Sequence, residues 1–250
     1  MSGSNVPRDY ELYVVDNGFI KVSSGIQRRI LEALRDGDMS PTELSFVTGR
    51  SRSTLSAHLD NMVKSGLIGY RQNEEDARSR IYFTRSDPLM KSKVPDKKAL
   101  MLSSMIFQDV RQHPESASNL ILRSLILTSD GVGLDMAPMM FSIGCDMAGY
   151  LLSTMEAYTV SRTLDLAKEW FDKFDLGELC VYSKDPITIL FRDTVDLTQT
   201  SAEVMASFVS GFLVTLFRSN LKKVYVITDQ EVFGDRNNYI RMKFEPEDSF

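Results

Sequence analysis

The stretch TELSFVTGRSRSTLSAHLDNMVKSGLIGYRQ, from Thr42 to Gln72, decides the fold of the first third of the chain. It contains a short apolar helical pattern, a glycine, a Ser/Arg cluster, a second amphipathic helical pattern and one β-rich run. Four serines and threonines and two arginines stand at the head of the second helix. The other face of that helix is apolar, with Leu55, Leu59, Met62 and Val63. The polar face therefore needs a partner.

Capping signals predict where the two helices of this stretch begin. A capping box with proline at the first helical position is formed by Ser40, Pro41 and Glu43. The first helix then runs through Leu44 and Val47 to Gly49, and Ser51 caps the second helix. Two short helices joined by a turn of about three or four residues form a helix-turn-helix.

The outer face of the second helix carries small polar side chains. Stepping about 100° per residue places Ser53, Ala57 and Asn61 opposite the apolar stripe. Side chains this small let a helix enter the major groove of DNA, where hydroxyls can meet base edges or phosphates. Arginines near the helix N-terminus add charge that attracts phosphate. We therefore predict double-stranded DNA as the partner, contacted by Thr42, Arg50, Ser51, Arg52, Ser53, Thr54, Ser56, Ala57, Asn61, Lys64, Arg71, Arg78 and Arg80.

A wing is predicted after this helix, which stops at Gly66. The segment LIGYRQNEEDARSRIYFTRSD reads as two short strands around an acidic turn. Arginines on both sides of the turn can reach the minor groove or the phosphate backbone. Three acids at the predicted tip oppose DNA binding, namely Glu74, Glu75 and Asp76. Either the arginines outweigh them or the tip points away from DNA.

The segment STLSAHLDNMVKSGLI resembles the recognition helix and exit of the ArsR-type winged helix-turn-helix regulators, over roughly residues 22–86. The resemblance implies a dimeric transcription factor that binds a palindromic operator. It does not imply metal sensing, because the cysteine-containing box of the arsenic and cadmium sensors has no counterpart before Cys145. His58, without a nearby His or Cys, is interpreted as structural or phosphate-contacting. Solvated helix surface and a protein-binding winged helix are the alternatives for the serine-rich face.

Composition indicates a soluble globular protein. The chain of 250 residues is 43% hydrophobic, and its longest uncharged apolar stretch, 14 residues between Glu203 and Arg218, is shorter than the roughly 20 that span a membrane. The N-terminus lacks the pattern of a signal peptide, so we expect a cytoplasmic protein with no membrane partner. Cys145 and Cys180 lie far apart without CxxC spacing, which argues against a disulfide framework and a thiolate zinc site.

Charge is distributed unevenly along the chain. Residues 1–98 carry 16 Lys and Arg against 13 Asp and Glu, whereas residues 99–250 carry 13 against 21. The basic part can approach phosphates, which repel the acidic part. The join is placed near SDPLMKSKVPDKK, where two prolines and a lysine-rich spacer interrupt the pattern. We predict a DNA-binding domain at 1–90, a linker or dimerisation helix at 91–113, and a sensor or dimerisation domain at 114–250.

The second half alternates helical and β patterns. An apolar helical face, which either contacts its twin in a homodimer or packs within the same chain, is formed by Leu100, Met101, Met105 and Ile106. Gly144 and Gly149 are expected to allow close approach of another backbone. Helices, a hairpin turning at 184–186, a buried helix and two final strands follow one another. This order predicts an antiparallel sheet covered by helices on one face, and an α+β protein overall.

The block SFVSGFLVTLFRSNLKKVYVITDQEVFGDRNNYIRMKFEP is similar to the C-terminal signature of the vinyl-four-reductase-type small-molecule-binding domain, and FSIGCDMAGYLLST resembles its earlier Gly-spaced helix. The resemblance covers residues 114–246 and implies a fold like that of trafficking-complex subunits, with an apolar cavity between helices and sheet. A winged helix fused to such a domain resembles the methanogen-specific redox regulators, an archaeal type.

Many members of this regulator family have cysteines that bind metal or change redox state. In this chain the residues at or near those positions are Ser207, Val232 and Arg241. No redox or zinc site and no cofactor is therefore expected. A thiol sensor built on Cys145 alone stays open, although free cysteine on an apolar helix usually behaves as a small hydrophobe.

Methionine and phenylalanine are abundant and cluster between Met136 and Met147. Such side chains suit an adaptable pocket, and equally an ordinary core. If a pocket for a small hydrophobic ligand exists, we predict that it is lined by Phe141, Cys145, Trp170, Phe174, Phe208 and Phe212.

Nothing in the sequence indicates catalysis. The two histidines are His58 and His113, no nucleophile has a base at a recognisable spacing, and there is no Gly-rich phosphate loop. We therefore predict a DNA-binding regulator, not an enzyme, whose second half senses a small apolar ligand. The alternative is a regulator whose second half is only a dimerisation or protein-docking module.

Overall fold

The computed structural model describes residues 9–73, 79–112, 117–233 and 239–247. The chain divides into two compact units, Met1–Ser92 and Lys93–Phe250. The functions assigned above to segments 1–90, 91–113 and 114–250 stay predictions.

The first unit is a winged helix-turn-helix preceded by a β-hairpin. β3 and β4 pair antiparallel, from Ile68 opposite Thr84 to Gln72 opposite Arg80, and form the wing. The predicted N-terminal architecture is confirmed. In chain order the elements are β1 Glu11–Val15, β2 Gly18–Val22, α1 Gly25–Asp36, α2 Pro41–Thr48, α3 Arg52–Lys64, β3 Ile68–Gln72, β4 Arg80–Thr84 and β5 Asp87–Ser92.

Side-chain caps determine where α2 and α3 begin. The Glu43 amide donates to Ser40 Oγ at 3.3 Å, and the Ser40 amide donates to the Glu43 carboxylate at 2.7 Å. This reciprocal pair is the predicted capping box. Gly49, with φ 64°, ends α2 in the left-handed region that favours glycine. Ser51 Oγ accepts a hydrogen bond of 3.3 Å from the Thr54 amide and caps α3, as predicted.

The core of the first unit is built by the inner faces of α1, α2 and α3 and by the strands next to them. Its largest contributors from the helices are Ile30, Leu31, Leu34, Leu44, Leu55, Leu59 and Met62. Val47, which the apolar pattern included, is instead 52% exposed. The inner stripe of this eight-residue helix consists of Leu44 and Thr48, one turn apart. The Thr48 hydroxyl donates to the Leu44 carbonyl at 2.6 Å, which satisfies it in the core.

A strand occupies part of the segment that the sequence analysis interpreted as an interrupted join. β1 pairs antiparallel with β2 on one side and with β5 on the other. The division between the two units falls after Ser92, within the segment SDPLMKSKVPDKK, as predicted. Asp87–Ser92 nevertheless form a strand, because β1 offers those residues a hydrogen-bonding edge. The hairpin of β1 and β2 was also missed, although an Asn-Gly pair between two β-rich runs is a strong hairpin signal.

The second unit combines helices with one antiparallel sheet. Its sheet has the order β7-β8-β10-β9, and β10 buries Ile240, Met242 and Phe244 on a single face. The predicted α+β class, with a C-terminal sheet flanked by helices, is confirmed. The elements are α4 Lys97–Gln112, α5 Ala117–Gly131, β6 Leu134–Asp135, α6 Ala137–Leu151, a 3₁₀ turn at Leu152–Thr154, α7 Val160–Lys173, β7 Glu178–Lys184, β8 Ile187–Arg192, α8 Gln199–Leu221, β9 Tyr225–Phe233 and β10 Tyr239–Pro246.

The central helix of the second unit is α8. By length and composition it could cross a membrane, but 72% of its most apolar window is buried in the protein, as in a core helix. It also meets α6 backbone to backbone. A Cβ added to Gly144 would lie 2.1 Å from the Phe208 carbonyl oxygen, and one added to Gly211 would lie 2.1 Å from the Phe141 carbonyl oxygen. The expectation of a close approach at Gly144 is confirmed.

Gly149 does not take part in this crossing. A Cβ built there has no neighbour within 4 Å among the described residues. The expectation of close approach at Gly149 is wrong because five residues rotate it by about 140° from Gly144, towards the open side of α6.

A buried ion pair braces the second unit. Arg123 and Asp193 are both almost inaccessible, and Arg123 Nε donates to Asp193 Oδ1 at 3.1 Å. The guanidinium also donates to the Leu176 carbonyl at 2.7 Å. Burial raises the pKa of Asp193, and the nearby guanidinium opposes that rise.

A second buried carboxylate, Asp130, joins the end of α5 to the start of α8. It accepts hydrogen bonds of 2.5–2.7 Å from Thr198, Thr200 and Ser201, and it pairs with the Lys93 ammonium at 2.7 Å. Burial alone would raise the pKa of Asp130, but these four donors hold it below its usual range.

Candidate nucleic-acid interface and candidate ligand groove

The outer face of α3 carries small, exposed side chains. Ser53, Ala57 and Asn61 are exposed along it, while Leu55 and Leu59 on the opposite side are buried. All of the described residues that were predicted to contact DNA are exposed: Thr42, Arg50, Ser51, Arg52, Ser53, Thr54, Ser56, Ala57, Asn61, Lys64, Arg71 and Arg80. Arg78 and the three acids of the wing tip lie outside the described residues.

Hydrogen bonds organise the head of α3. An Arg52 Nη2 donates to the Thr42 hydroxyl and so connects the first turn of α3 to that of α2. Ser51 Oγ lies 2.9 Å from each of the hydroxyls of Ser53 and Thr54. The head therefore presents a cluster of hydroxyls beside a guanidinium, a set that suits phosphate oxygens.

The N-terminus of α2 is occupied by a carboxylate of the same chain. The Ser40 amide and hydroxyl lower the pKa of Glu43, so this carboxylate is ionised at neutral pH. Its charge sits where a phosphate would otherwise meet the helix N-terminus. Attraction of phosphate at this point therefore depends on the Arg52 side chain. Asp60, exposed on α3, adds a second negative charge to the face.

The wing carries two of the predicted cations, and each has a partner. Arg71 Nη2 lies 3.0 Å from Asp38 Oδ2 in a largely exposed ion pair. The Arg80 guanidinium lies 4.3 Å from the centroid of the Tyr70 ring. An exposed ion pair is weak, so phosphate can compete with Asp38 for Arg71.

Two apolar side chains next to this surface were not anticipated. Phe46 is 89% exposed and Val47 is about half exposed, both on α2. Phe46 follows Thr42 by one turn and so shares its side of the helix. The short length of α2 could have predicted their exposure. A helix of eight residues has only two inward-facing positions here, so its other apolar residues lie outside the core.

A groove in the second unit runs between α6 and α7. Its volume is about 430 Å³, and its lining consists of Ile143, Asp146, Met147, Tyr150, Leu151, Trp170 and Phe174. Of the predicted ligand-binding residues, Trp170 and Phe174 line it. Phe208 and Phe212 are buried core residues instead, and Phe141 and Cys145 lie on α6 outside the lining.

Aromatic contacts hold the floor of the groove in place. The rings of Trp170 and Phe212 are stacked, with centroids 4.9 Å apart and planes 20° apart. The ring centroid of Phe174 lies 5.0 Å from that of Trp170. The ring of Phe171 packs edge-on against Trp170, with centroids 5.5 Å apart. Trp170 is thus supported by a buried ring and still borders the open groove.

The two cysteines are free thiols that lie on different elements, α6 and β7. Cys145 is partly buried on α6. Burial raises the pKa of Cys180, and a hydrogen bond to Glu178 raises it further, so this thiol is less reactive than usual. Whether Cys145 has a sensing role stays an open hypothesis.

Residues 24–70 match the model of a family described as "Bacterial regulatory protein, arsR family". A search of curated proteins gave no match. Among solved structures, the chain is similar to the Fe(II) unliganded H-NOX protein from K. algicida, with 12% sequence identity and a TM-score of 0.36. The match covers 52% of this chain and 72% of the H-NOX chain. A point mutant of the same protein has a TM-score of 0.38 at 12% identity, over 51% and 72% of the two chains. Scores this low do not establish a shared fold.

The family match spans α1, α2, α3 and the start of β3. Together with the exposed face of α3, it defines an arsR-type helix-turn-helix, which is the DNA-binding part of a transcription regulator. The match therefore points to a DNA-binding regulator of transcription. The vinyl-four-reductase and methanogen resemblances are not confirmed by these comparisons.

Proposed function

We propose that this chain is a dimeric, sequence-specific DNA-binding regulator of transcription whose second unit senses a small apolar ligand. One observation carries the proposal: an exposed face of small side chains on α3 lies on an arsR-type helix-turn-helix. A face of this kind has no other role in the first unit, because the apolar side of α3 already forms the core.

In the proposed complex α3 lies in the major groove. Asn61 can donate to and accept from adenine, and Ala57 can contact a thymine methyl group. The hydroxyls of Ser51 and Ser53 and the guanidinium of Arg52 contact phosphates and set the register. Exposed Phe46, on the same side of α2 as Thr42, adds apolar surface for a sugar or a thymine methyl group.

The wing supports the same complex from the side. Phosphate replaces Asp38 as the partner of Arg71, while Arg80 keeps its ring contact with Tyr70 and extends its charge towards the backbone. The uneven charge of the chain supports this orientation, since DNA attracts the basic first part and repels the acidic second part.

The proposed dimer uses the helical hairpin of α4 and α5. Ser103 on α4 lies within 2.9 Å of the hydroxyls of Ser124 and Thr128 on α5, which fixes the two helices to each other. The hairpin exposes a set of large apolar side chains, namely Leu100, Met101, Met105, Ile121 and Leu125. Several large apolar side chains exposed on one helical hairpin suit a protein interface, so a second copy of the chain is the proposed partner. If no ligand binds, this surface supports the alternative of a dimerisation or docking module.

The test removes the head of α3. An operator is first selected from a random DNA library with the wild-type protein. Replacing Arg52 and Ser53 by alanine should then weaken binding at least tenfold, because a hydrogen bond to a charged group such as phosphate is worth about 1.5–3 kcal/mol. The slope of log K against log salt should fall by about 2 for a dimer that loses two phosphate contacts.

The matched control replaces half-buried Ser161 and exposed Arg162, a serine-arginine pair in the first turn of α7, by alanine. Sedimentation should show the same dimer for all three proteins. Unchanged affinity and salt slope in the α3 variant would contradict the DNA-binding proposal.

A further inference from the structure

The groove between α6 and α7 contains one charged side chain in an otherwise apolar lining. Ile143, Asp146, Met147 and Tyr150 follow the 3- and 4-residue spacing of a single helix face. Asp146 therefore stands among a methionine, an isoleucine and a tyrosine. It forms no ion pair with any residue in the described part of the chain, so its carboxylate is available to a ligand.

The remaining lining is rich in aromatic rings. Tyr150, Trp170 and Phe174 all border the groove. The face of an aromatic ring is electron-rich and attracts cations, tryptophan most strongly. The protein itself illustrates this attraction, because the Lys173 ammonium lies 5.5 Å from the centroid of the Phe174 ring.

The groove is also pre-organised, because its tryptophan is already held in place. Trp170 is stacked on buried Phe212, so little side-chain freedom remains to be lost when a ligand packs against it. A volume of about 430 Å³ lies within the range of small-molecule sites, roughly 300–1,000 Å³.

Charge decides which small molecule fits. A neutral apolar ligand would leave the Asp146 carboxylate partly desolvated and without a partner, which is unfavourable. An anion would be repelled both by Asp146 and by the net negative charge of residues 99–250. A cation with apolar groups satisfies the carboxylate, the rings and the methionine at the same time.

We propose that the groove is a binding site for lipophilic organic cations, with Asp146 as the counter-ion and Trp170, Tyr150 and Phe174 as the aromatic contacts. The proposal replaces the small apolar ligand of the proposed sensor by a cation that carries apolar groups, and it rests on the proposed function only for its regulatory meaning. Binding of the cation itself does not depend on DNA binding.

The test uses two probes of the same shape and opposite charge, tetraphenylphosphonium and tetraphenylborate. Trp170 is the single tryptophan of the chain, so its fluorescence reports the groove without a label. Titration of the full chain with tetraphenylphosphonium should give a saturable change, with tetraphenylborate binding at least tenfold more weakly. Asp146→Asn should weaken binding of the cation about tenfold and leave binding of the anion unchanged or tighter.

Asp165→Asn is the matched control, because it removes an exposed carboxylate from α7 outside the lining. It should keep the wild-type preference. Equal affinities for the two probes, or a preference that survives Asp146→Asn, would overturn the proposal. So would the absence of a saturable change, or a Trp170 signal that depends on protein dilution, which would mean that a second copy covers the groove. Operator binding, measured separately, shows whether the regulator proposal fails as well.

Discussion

The crossing of α6 and α8 yields the sharpest prediction about stability. A methyl group at Gly144 would stand 2.1 Å from the Phe208 carbonyl oxygen and 2.8 Å from the Phe212 nitrogen, whereas ordinary contact begins near 3.4 Å. Both opposing atoms belong to backbone and cannot rotate away. Gly144→Ala therefore forces the two helices apart by roughly 1.3 Å, a gap at which the flanking side chains lose much of their dispersion contact.

The expected cost follows from this displacement. Overpacking of a well-packed core destabilises by about 1–3 kcal/mol, and the helix propensity of alanine returns about 1 kcal/mol. Gly144→Ala should therefore lower the free energy of unfolding by up to about 2 kcal/mol. Gly149→Ala, on the same helix but with open space at its Cβ, should instead raise it by about 0.5–1 kcal/mol.

Urea titration with Trp170 fluorescence measures both variants, because the single indole lies in the second unit beside α8. The opposite signs are the essential result. Equal stability of the two variants, or stabilisation by Gly144→Ala, would refute the backbone-to-backbone contact at the crossing.

Two further predictions concern the buried charges of the second unit. Asp130→Asn should lower the free energy of unfolding at pH 7 by about 1–3 kcal/mol, because Lys93 loses its charged partner. Since the pKa of Asp130 is lowered by folding from an unfolded value of about 3.9, the wild-type advantage holds above that pH and vanishes as pH falls through the folded pKa. Urea titrations from pH 7 downwards test this, and an advantage that grows with acidity would contradict it. Arg123→Met should destabilise by about 3–5 kcal/mol, since it leaves Asp193 buried without a cation, and Arg123→Met with Asp193→Asn should recover part of the loss. Strictly additive effects in the double-mutant cycle would argue against coupling of the pair.

Short-range chemistry explains why the first unit was so largely predictable. The capping box at Ser40 and Glu43 and the stop at Gly49 involve neighbours only three or four residues apart, so the sequence displays them directly. The β5 strand was missed because its partner β1 lies far away, as in the pairing of Glu11 with Lys91. No local pattern records which edge a short run with a proline will meet.

The groove was predictable only in part. Trp170 and Phe174 were chosen for their aromatic character and do line it, but Phe212 lies under Trp170 in the core. Helical spacing tells which residues share a face and not which neighbouring element covers that face. Met147 and Tyr150 were left out of the predicted pocket for this reason, although their spacing from Ile143 is regular.

The glycine contact between α6 and α8 also limits how α6 can move. No side chain separates the two backbones at Gly144, so the crossing there acts as a pivot. α6 can tilt about this pivot more easily than it can move away from α8. Tyr150 lies about 9 Å along the axis from this point, so a tilt of roughly 10° carries it about 1.6 Å. The N-terminal end of α6, near Pro138, moves in the opposite direction. A ligand that widens the groove would therefore also displace the N-terminal end of α6.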